Sequence, residues 1–230
     1  MTVVTELLLR DRVGEELRAR IADGRLPAGT RLVERDLADE LEVSRVPVRE
    51  ALRMLQIEGF VDVQERRVAV VKALNRSDVE DLFDIREGIE ATAARRAAVR
   101  CTPEDLARLD EVVARSRQAL ESGDDPTLHH TNSSFHEMLV EVSGNRLMKG
   151  VLAPVATRLR WLFSQNPEPR RVCHEHELIV EALRRHDPEA AATLIVEHTE
   201  AGRRMVLAVM DGSPTLDSSP SASADPLETP

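Results

Sequence analysis

Hydrophobic positions along the chain follow two spacings. From the start to about residue 58 they recur every three or four positions, as on one face of a helix. Two short runs rich in β-branched residues follow, FVDVQ and VAVVK. From residue 75 to about residue 210 the helical spacing returns, and Pro, Gly or Asp separates the segments. The pattern predicts a mostly α-helical protein with one β-hairpin.

The N-terminal elements come in a recognisable order. A cluster of turn residues at 23–29 ends the first predicted helix, and Gly59 is placed to cap the third. The two β-rich runs lie on either side of Glu65-Arg66-Arg67, which predicts a hairpin tip. Helix, helix, turn, helix and hairpin is the order of a winged helix-turn-helix. We predict this fold for residues 1–72, with helices at about 5–23, 34–41 and 44–58.

The rest of the chain is predicted to hold a second domain and a tail. Residues 75–211 contain no run typical of a strand, so we expect an all-helical bundle. Residues 212–230 hold four Pro and five Ser and almost no large apolar side chain. Because burial there cannot offset the entropy of ordering, we expect this tail to be disordered.

Charge and composition narrow the class of protein. The 31 basic and 41 acidic residues give a net charge of −10, yet residues 1–72 carry 13 basic and 14 acidic residues. The acidity lies in the second domain, so it does not exclude DNA binding by the first. Aromatic residues make up 2% of the chain, which disfavours a β-sandwich, and two cysteines are too few for a disulfide framework. Since no apolar run approaches the roughly 20 residues of a bilayer span, we expect a cytoplasmic protein without a membrane partner.

The third predicted helix carries a row of cations beside its apolar stripe. Arg45, Arg49 and Arg53 share one face, and Ser44 stands at the N-cap. An arginine in the first turns of a helix in the major groove can donate two hydrogen bonds to guanine, which contributes about 1–3 kcal/mol of discrimination. Ser44 would then meet phosphate. The alternative is a solvated face whose arginines pair with glutamates nearby in sequence, namely Glu42, Glu50 and Glu58.

The segment from Leu17 to Val61 carries a specific series of residues: Gly24-Arg25-Leu26, Pro27, Gly29, Leu32, Glu34, Leu37-Ala38, Val43-Ser44-Arg45, Pro47-Val48-Arg49-Glu50-Ala51-Leu52, Leu55 and Glu58-Gly59. With these residues the segment resembles the winged helix-turn-helix of the GntR family of bacterial transcription regulators. The resemblance implies that Arg35, Arg45 and Arg49 contact DNA, with Ser44 on the backbone.

The hairpin tip departs from that family pattern. Many relatives carry a Gly-rich tip that enters the minor groove, whereas Glu65, Arg66 and Arg67 stand here. We predict that Arg66 and Arg67 contact phosphate, and insertion into a narrow minor groove is the alternative.

In the second domain, a cation interrupts the apolar stripe of the first helix, predicted at about 77–100. The interrupting residue is Arg86. A buried arginine needs an anion. Glu90, one turn further on, could supply it as an i,i+4 pair, or a bound ligand could supply a carboxylate.

Three further helices each place one histidine on their inward face. These residues are His136, His176 and His198, and Asn132 lies one turn before His136. Taken singly, each histidine is typical of a core residue bonded to a backbone carbonyl. Together with Asn132 they make four inward nitrogen or oxygen ligands, which suit a divalent transition metal.

These positions are similar to the FCD domain, the ligand-binding domain of the FadR-like branch of the same family. Its pattern maps to Asn132, Phe135-His136, Glu175-His176 and His198. The resemblance implies a metal, with zinc or nickel expected, held by Asn132 and the three histidines, and an effector contact at Arg86. Asn132 stands where Asp is commoner, so the site has one negative charge fewer and a weaker or different metal preference is expected.

The remaining candidate ligands are less clearly placed. His129 shares the face of His136, and Cys173 shares that of His176, so each could serve as an additional ligand, although a lone thiol on an apolar face usually packs. The other histidines fall off the inward stripes and are expected to face solvent: His130, His174 and His186.

These features together predict a homodimeric, ligand-responsive transcription regulator that acts as a repressor at the nucleoid. Two winged domains would read an inverted-repeat DNA operator, and a small organic acid would bind the helical domain through the metal and Arg86. One rival is a metal-dependent enzyme, which would need a general base such as Glu137, Glu175 or Glu177. The other is a DNA-binding scaffold whose histidines are metal-free core residues.

Overall fold

The computed structural model describes residues 2–64, 68–163 and 168–212. The order of helices and strands confirms the predicted fold class. The elements are α1 (Thr2–Ala22), β1 (Arg31–Leu32), α2 (Glu34–Glu40), α3 (Arg45–Ile57), β2 (Val61–Gln64), β3 (Val68–Val71), α4 (Arg76–Arg100), α5 (Pro103–Ser122), α6 (Asp125–Val142), α7 (Arg146–Phe163), α8 (Pro169–Arg184) and α9 (Pro188–Gly212). Among these residues no helix is both long and apolar enough to cross a membrane.

The N-terminal unit packs α1, α2 and α3 on a small antiparallel sheet. The hairpin of β2 and β3 lies where the β-rich runs predicted it, and its tip at 65–67 falls outside the described residues. The sheet also includes β1, whose Arg31 is opposite Val70 in β3, so the order is β1-β3-β2. Strand β1 was not predicted, because a run of two residues is too short to show the alternation of apolar and polar positions that indicates a strand. The core includes Leu17, Val48 and Leu55, all fully buried.

Both ends of α3 are fixed by local sequence. At the C-terminus Gly59 has φ +77°, the amide of Phe60 donates to the carbonyl of Leu55, and that of Gly59 donates to Gln56. At the N-terminus Ser44 is extended, as an N-cap should be, but its side chain makes no capping hydrogen bond. This corrects the expectation of a Ser44 cap and leaves the first amides of α3 without that partner.

In the second unit, the described residues form a bundle of six helices, α4 to α9. Helices α4 and α9 pack along each other, α6 packs against α4, and α8 packs against α9. Capping boxes at Asn75 and Thr102 start α4 and α5. The main core includes Leu109, Phe135 and Ile179, all fully buried. The last helix includes Gly212, the first residue of the predicted tail, and residues 213–230 lie outside the described residues.

Candidate functional site

Three of the predicted ligands meet in the interior of the bundle. His136 of α6, His176 of α8 and His198 of α9 are buried, and one nitrogen from each lies within 4.8 Å of the others. The two Nε2 atoms of His136 and His198 are 3.2 Å apart. The three histidines meet because each lies on the face of its helix that packs toward the core of the bundle.

A carboxylate lies behind each of two rings. Glu175 Oε2 is in hydrogen-bond contact with His198 Nδ1 at 2.7 Å. Glu90 Oε2 lies 3.1 Å from His136 Nδ1, which is within ion-pair distance but does not have the geometry of a hydrogen bond. A carboxylate behind an imidazole orients the ring and directs its other nitrogen toward a metal. From the sequence, Glu175 was expected as part of the family pattern and as a candidate base, and Glu90 as a partner of Arg86, but neither was assigned to a histidine ring. The available signal was the adjacency of Glu175 to His176 and the position of Glu90 one turn after Arg86.

Burial keeps two of the imidazoles neutral, those of His136 and His176. It lowers the pKa of His136 to about 4, although Glu90 opposes the shift. Burial also holds the pKa of His176 well below its ordinary value, with the other two histidines adding to the effect. A neutral imidazole is the form that binds a metal.

The cluster meets a simple test of fit for a metal. His176 Nε2 is buried and has no hydrogen-bond partner among the described residues. Buried polar atoms are rarely left unpaired in a folded protein, and an orphaned nitrogen beside two further imidazoles matches the donor set of a divalent transition metal.

Asn132 lies one turn before His136 and is half-buried beside the cluster, where it lines the adjoining cavities. His129 and Cys173 line one cavity without joining the three clustered histidines. Cys173 Sγ instead lies 3.0 Å from Ser116 Oγ. The three histidines that fall off the inward stripes are exposed: His130, His174 and His186. The Nδ1 atom of His186 lies 2.7 Å from the carbonyl oxygen of Ala98.

Two cavities of about 110 and 150 Å³ adjoin the histidines. His198 lines the first and His136 the second. Five residues line both: Arg86, Asn132, Ser133, Arg160 and Phe163. The cluster therefore opens onto space bordered by guanidinium groups.

Arg86 forms the i,i+4 pair with Glu90 and also borders the cavities. It is 4% exposed, and its Nε lies 2.9 Å from Glu90 Oε1. Its guanidinium also lines both cavities and stands 4.8 Å from the centre of the Phe163 ring. Burial works against the ionised form of Glu90, but the charge of Arg86 and the proximity of His136 hold its pKa far below the ordinary range.

The predicted DNA-reading arginines are exposed on α3 and are held together by one acid of α2. Arg49 Nη2 lies 2.8 Å from Glu34 Oε2, and Arg45 Nη2 lies 3.7 Å from the same oxygen. Their side chains are 46% and 62% exposed. The solvated-face alternative named other partners for these two residues, and it matches only Arg53, which pairs with Glu50.

Two of the other predicted DNA contacts, Arg35 and Ser44, are exposed, and the remaining two lie outside the described residues. Arg35 on α2 is 74% exposed and pairs with its neighbour Asp36 at 3.2 Å. Ser44 is at the start of α3. Arg66 and Arg67 fall within the undescribed hairpin tip.

Comparison with protein families divides the chain where the fold does. Residues 9–71 match the family described as bacterial regulatory proteins, gntR family. Residues 81–201 match the FCD domain.

Individual relatives match across most of the chain. The regulator BphR of Paraburkholderia xenovorans, described as an uncharacterized HTH-type transcriptional regulator, is 31% identical over 84% of this chain and 82% of its own length. The HTH-type transcriptional repressor RspR of Escherichia coli is 27% identical over 87% and 91%. The solved structure of E. coli McbR/YncC superposes with a TM-score of 0.78 over 87% of this chain and 98% of that chain, at 24% identity.

Proposed function

Since this chain belongs to the gntR family of bacterial regulatory proteins, carries an FCD domain and is a DNA-binding transcription regulator, we propose that it is a homodimeric repressor released by a small organic acid. One observation carries the effector half of this proposal. Three buried imidazoles converge beside two cavities that Arg86 also lines. The relatives are regulators, which favours this function over the metal-dependent enzyme.

The metal would be held by His136, His176 and His198, with Asn132 as the fourth protein ligand. The donor set suits zinc or nickel. When bound, the metal supplies a Lewis acid that takes up a carboxylate oxygen of the effector. Glu90 and Glu175 hold two of the rings in place, and Arg86 donates hydrogen bonds to the same anion.

The DNA half of the proposal places α3 in the major groove. Arg45 and Arg49 would donate to guanine, Arg35, Arg66 and Arg67 would contact the DNA, and Ser44 would meet phosphate. A homodimer would present two such helices to an inverted-repeat operator in the bacterial nucleoid. Repression is proposed by analogy with the repressor RspR.

The proposal is tested with an operator selected from random DNA by the full chain. A panel of carboxylates is then added to the zinc-loaded protein, and DNA affinity is followed by fluorescence anisotropy. We expect at least one acid to weaken operator binding about 5- to 150-fold, the usual range of allosteric coupling. If no acid changes the affinity for the operator, the effector half of the proposal is wrong. If NMR shows that the protein converts one of the acids to a product, the metal-dependent enzyme is the better interpretation.

Coupling between the two units is proposed to run through α7. The side chain of Arg158, in α7, lies against Gly59. A Cβ atom on residue 59 would be 3.1 Å from Nη1 of Arg158. Gly59 ends α3, the proposed reading helix. Burial lowers the pKa of Arg158, partly offset by Asp78 and Asp62. Because Arg160, two residues on, lines the cavities, a shift of α7 on effector binding would reach α3 directly.

Replacing Arg158 by Ala is therefore expected to loosen the N-terminal unit from α7. Amide hydrogen exchange in residues 55–63 should accelerate about tenfold, a local loss of about 1.4 kcal/mol, while that of α5 stays unchanged. Arg146→Ala, on an exposed position of the same helix, is the control. Equal exchange in both variants would remove Arg158 from the coupling route.

The charge of Glu90 is expected to stabilise the bundle even without a metal. In Glu90→Gln the buried Arg86 loses its counter-charge, and we expect the free energy of unfolding to fall by about 2–3 kcal/mol in chelator-treated protein. Urea denaturation measures it, and Asp81→Asn, an exposed position of the same helix, is the matched control. A loss no larger than that of the control would show that another group compensates Arg86.

A further inference from the structure

The cavities beside the histidines are lined by three arginines and one lysine, and two of these four cations already have a carboxylate partner. Arg86 pairs with Glu90. Arg171, which lines the first cavity, pairs with both Glu168 and Glu175 at 2.7 and 2.6 Å. These guanidinium groups carry their counter-charges with them.

Arg160 is different. It is half-buried near the end of α7 and lines both cavities, but it has no ion-pair or hydrogen-bond partner among the residues that the structure describes. The acids that share those walls, Asp125 in the first cavity and Glu137 in the second, are exposed and do not pair with it. A partly desolvated guanidinium facing a cavity is stabilised when an anion enters.

The balance of charge indicates how many anionic groups the site accepts. The proposed metal and Arg86 account for one carboxylate of an effector. Arg160 then adds a positive charge that nothing in the described part of the cavities neutralises. On the rim of the second cavity, exposed Lys149 adds another without an ion pair among those residues.

We propose that Arg160 binds a second carboxylate, so that the effector of this protein is a dicarboxylate rather than a monocarboxylate. The inference rests on the proposed effector site and names its ligand class. One carboxylate lies at the histidines and Arg86, and the other accepts a bidentate pair of hydrogen bonds from Arg160, with Lys149 adding charge at the rim. Phe163, which lines both cavities, packs against the chain between the two acids.

The test compares two series of acids matched in carbon number. Linear dicarboxylates from malonate to suberate and the corresponding monocarboxylates are titrated by calorimetry into the zinc-loaded full chain. We expect at least one dicarboxylate to bind about tenfold tighter than its matched monocarboxylate, the size of one charge-assisted contact. In Arg160→Gln that preference should disappear while monocarboxylate affinity stays the same. Arg146→Gln, an exposed cation on the same helix, should keep the preference.

The outcomes separate this inference from the proposed function. Equal affinity for both series, or a preference that survives in Arg160→Gln, would overturn the role of Arg160 and leave the carboxylate effector standing. Binding by neither series would overturn both. Arg160→Lys tests the geometry of the contact. The ammonium group of lysine is a point charge and cannot donate the bidentate pair of hydrogen bonds that a planar guanidinium donates, so we expect only part of the dicarboxylate preference to return relative to Arg160→Gln.

Discussion

Replacing both His136 and His176 by Ala is expected to abolish metal binding. Untagged protein purified without chelator should carry about one transition-metal ion per chain by elemental mass spectrometry, and the double variant should carry essentially none. The physical reason is that two of three clustered imidazoles are removed. Loss of a group that merely supports a ligand typically costs about 10–100-fold in affinity, and loss of two ligands costs far more.

The same prediction has a readout in stability. When the free metal concentration is about 100 times the Kd, binding stabilises the folded chain by about 2.7 kcal/mol. For a chain of this size, that corresponds to a rise in Tm of about 5–10 °C. Zinc added to chelator-treated wild type should give this rise, and zinc added to the double variant should not. Melting of both proteins in chelator shows whether the variant still folds.

The chain offers a matched control for these substitutions. His130 lies on the same helix as His136, and His174 lies on the same helix as His176, but both are exposed. His130→Ala/His174→Ala removes the same number of imidazoles and should keep the metal. If wild type takes up no zinc, nickel or manganese, or if this control loses the metal equally, the histidine cluster is part of the core and the metal proposal is wrong.

The sequence was sufficient to place the histidines but not to find what surrounds them. Periodicity assigns an inward face to each helix, so His136, His176 and His198 could be predicted to converge before any contact was known. The acids behind them depend on tertiary distance. Glu175 meets His198 of the next helix, and Glu90 meets His136 of a helix that follows much later in the chain. No spacing within one helix encodes such pairs.

Arg160 and the partner of Arg49 were missed for the same reason. The position of Arg160 stands out only in the fold, where it borders both cavities and pairs with no acid among the described residues. For the arginines of α3, sequence proximity suggested acids of the same segment, whereas the fold brings Glu34 across from α2. Of the two predicted caps of α3, the C-terminal one was predictable: Gly59 ends the helix as expected, since a positive φ there favours glycine, whereas Ser44 makes no side-chain cap.

Replacing Arg45 and Arg49 by Ala is expected to abolish specific operator binding. If each arginine makes one bidentate contact to guanine, the pair contributes about 2–6 kcal/mol of discrimination per subunit, so affinity should fall at least about 30-fold. Their present contacts to Glu34 are exposed ion pairs, which contribute at most about 1 kcal/mol and are readily exchanged for DNA.

The measurement compares the selected operator with scrambled DNA of the same composition across a range of salt concentrations. Loss of base contacts should bring the two affinities together, whereas loss of phosphate contacts alone would weaken both and flatten the salt dependence. Arg115→Ala/Arg146→Ala removes the same charge from exposed positions of the helical domain and should leave discrimination intact. Unchanged thermal unfolding and metal content show that the α3 variant is folded. Full discrimination in that variant would mean that these two arginines of α3 do not read the operator.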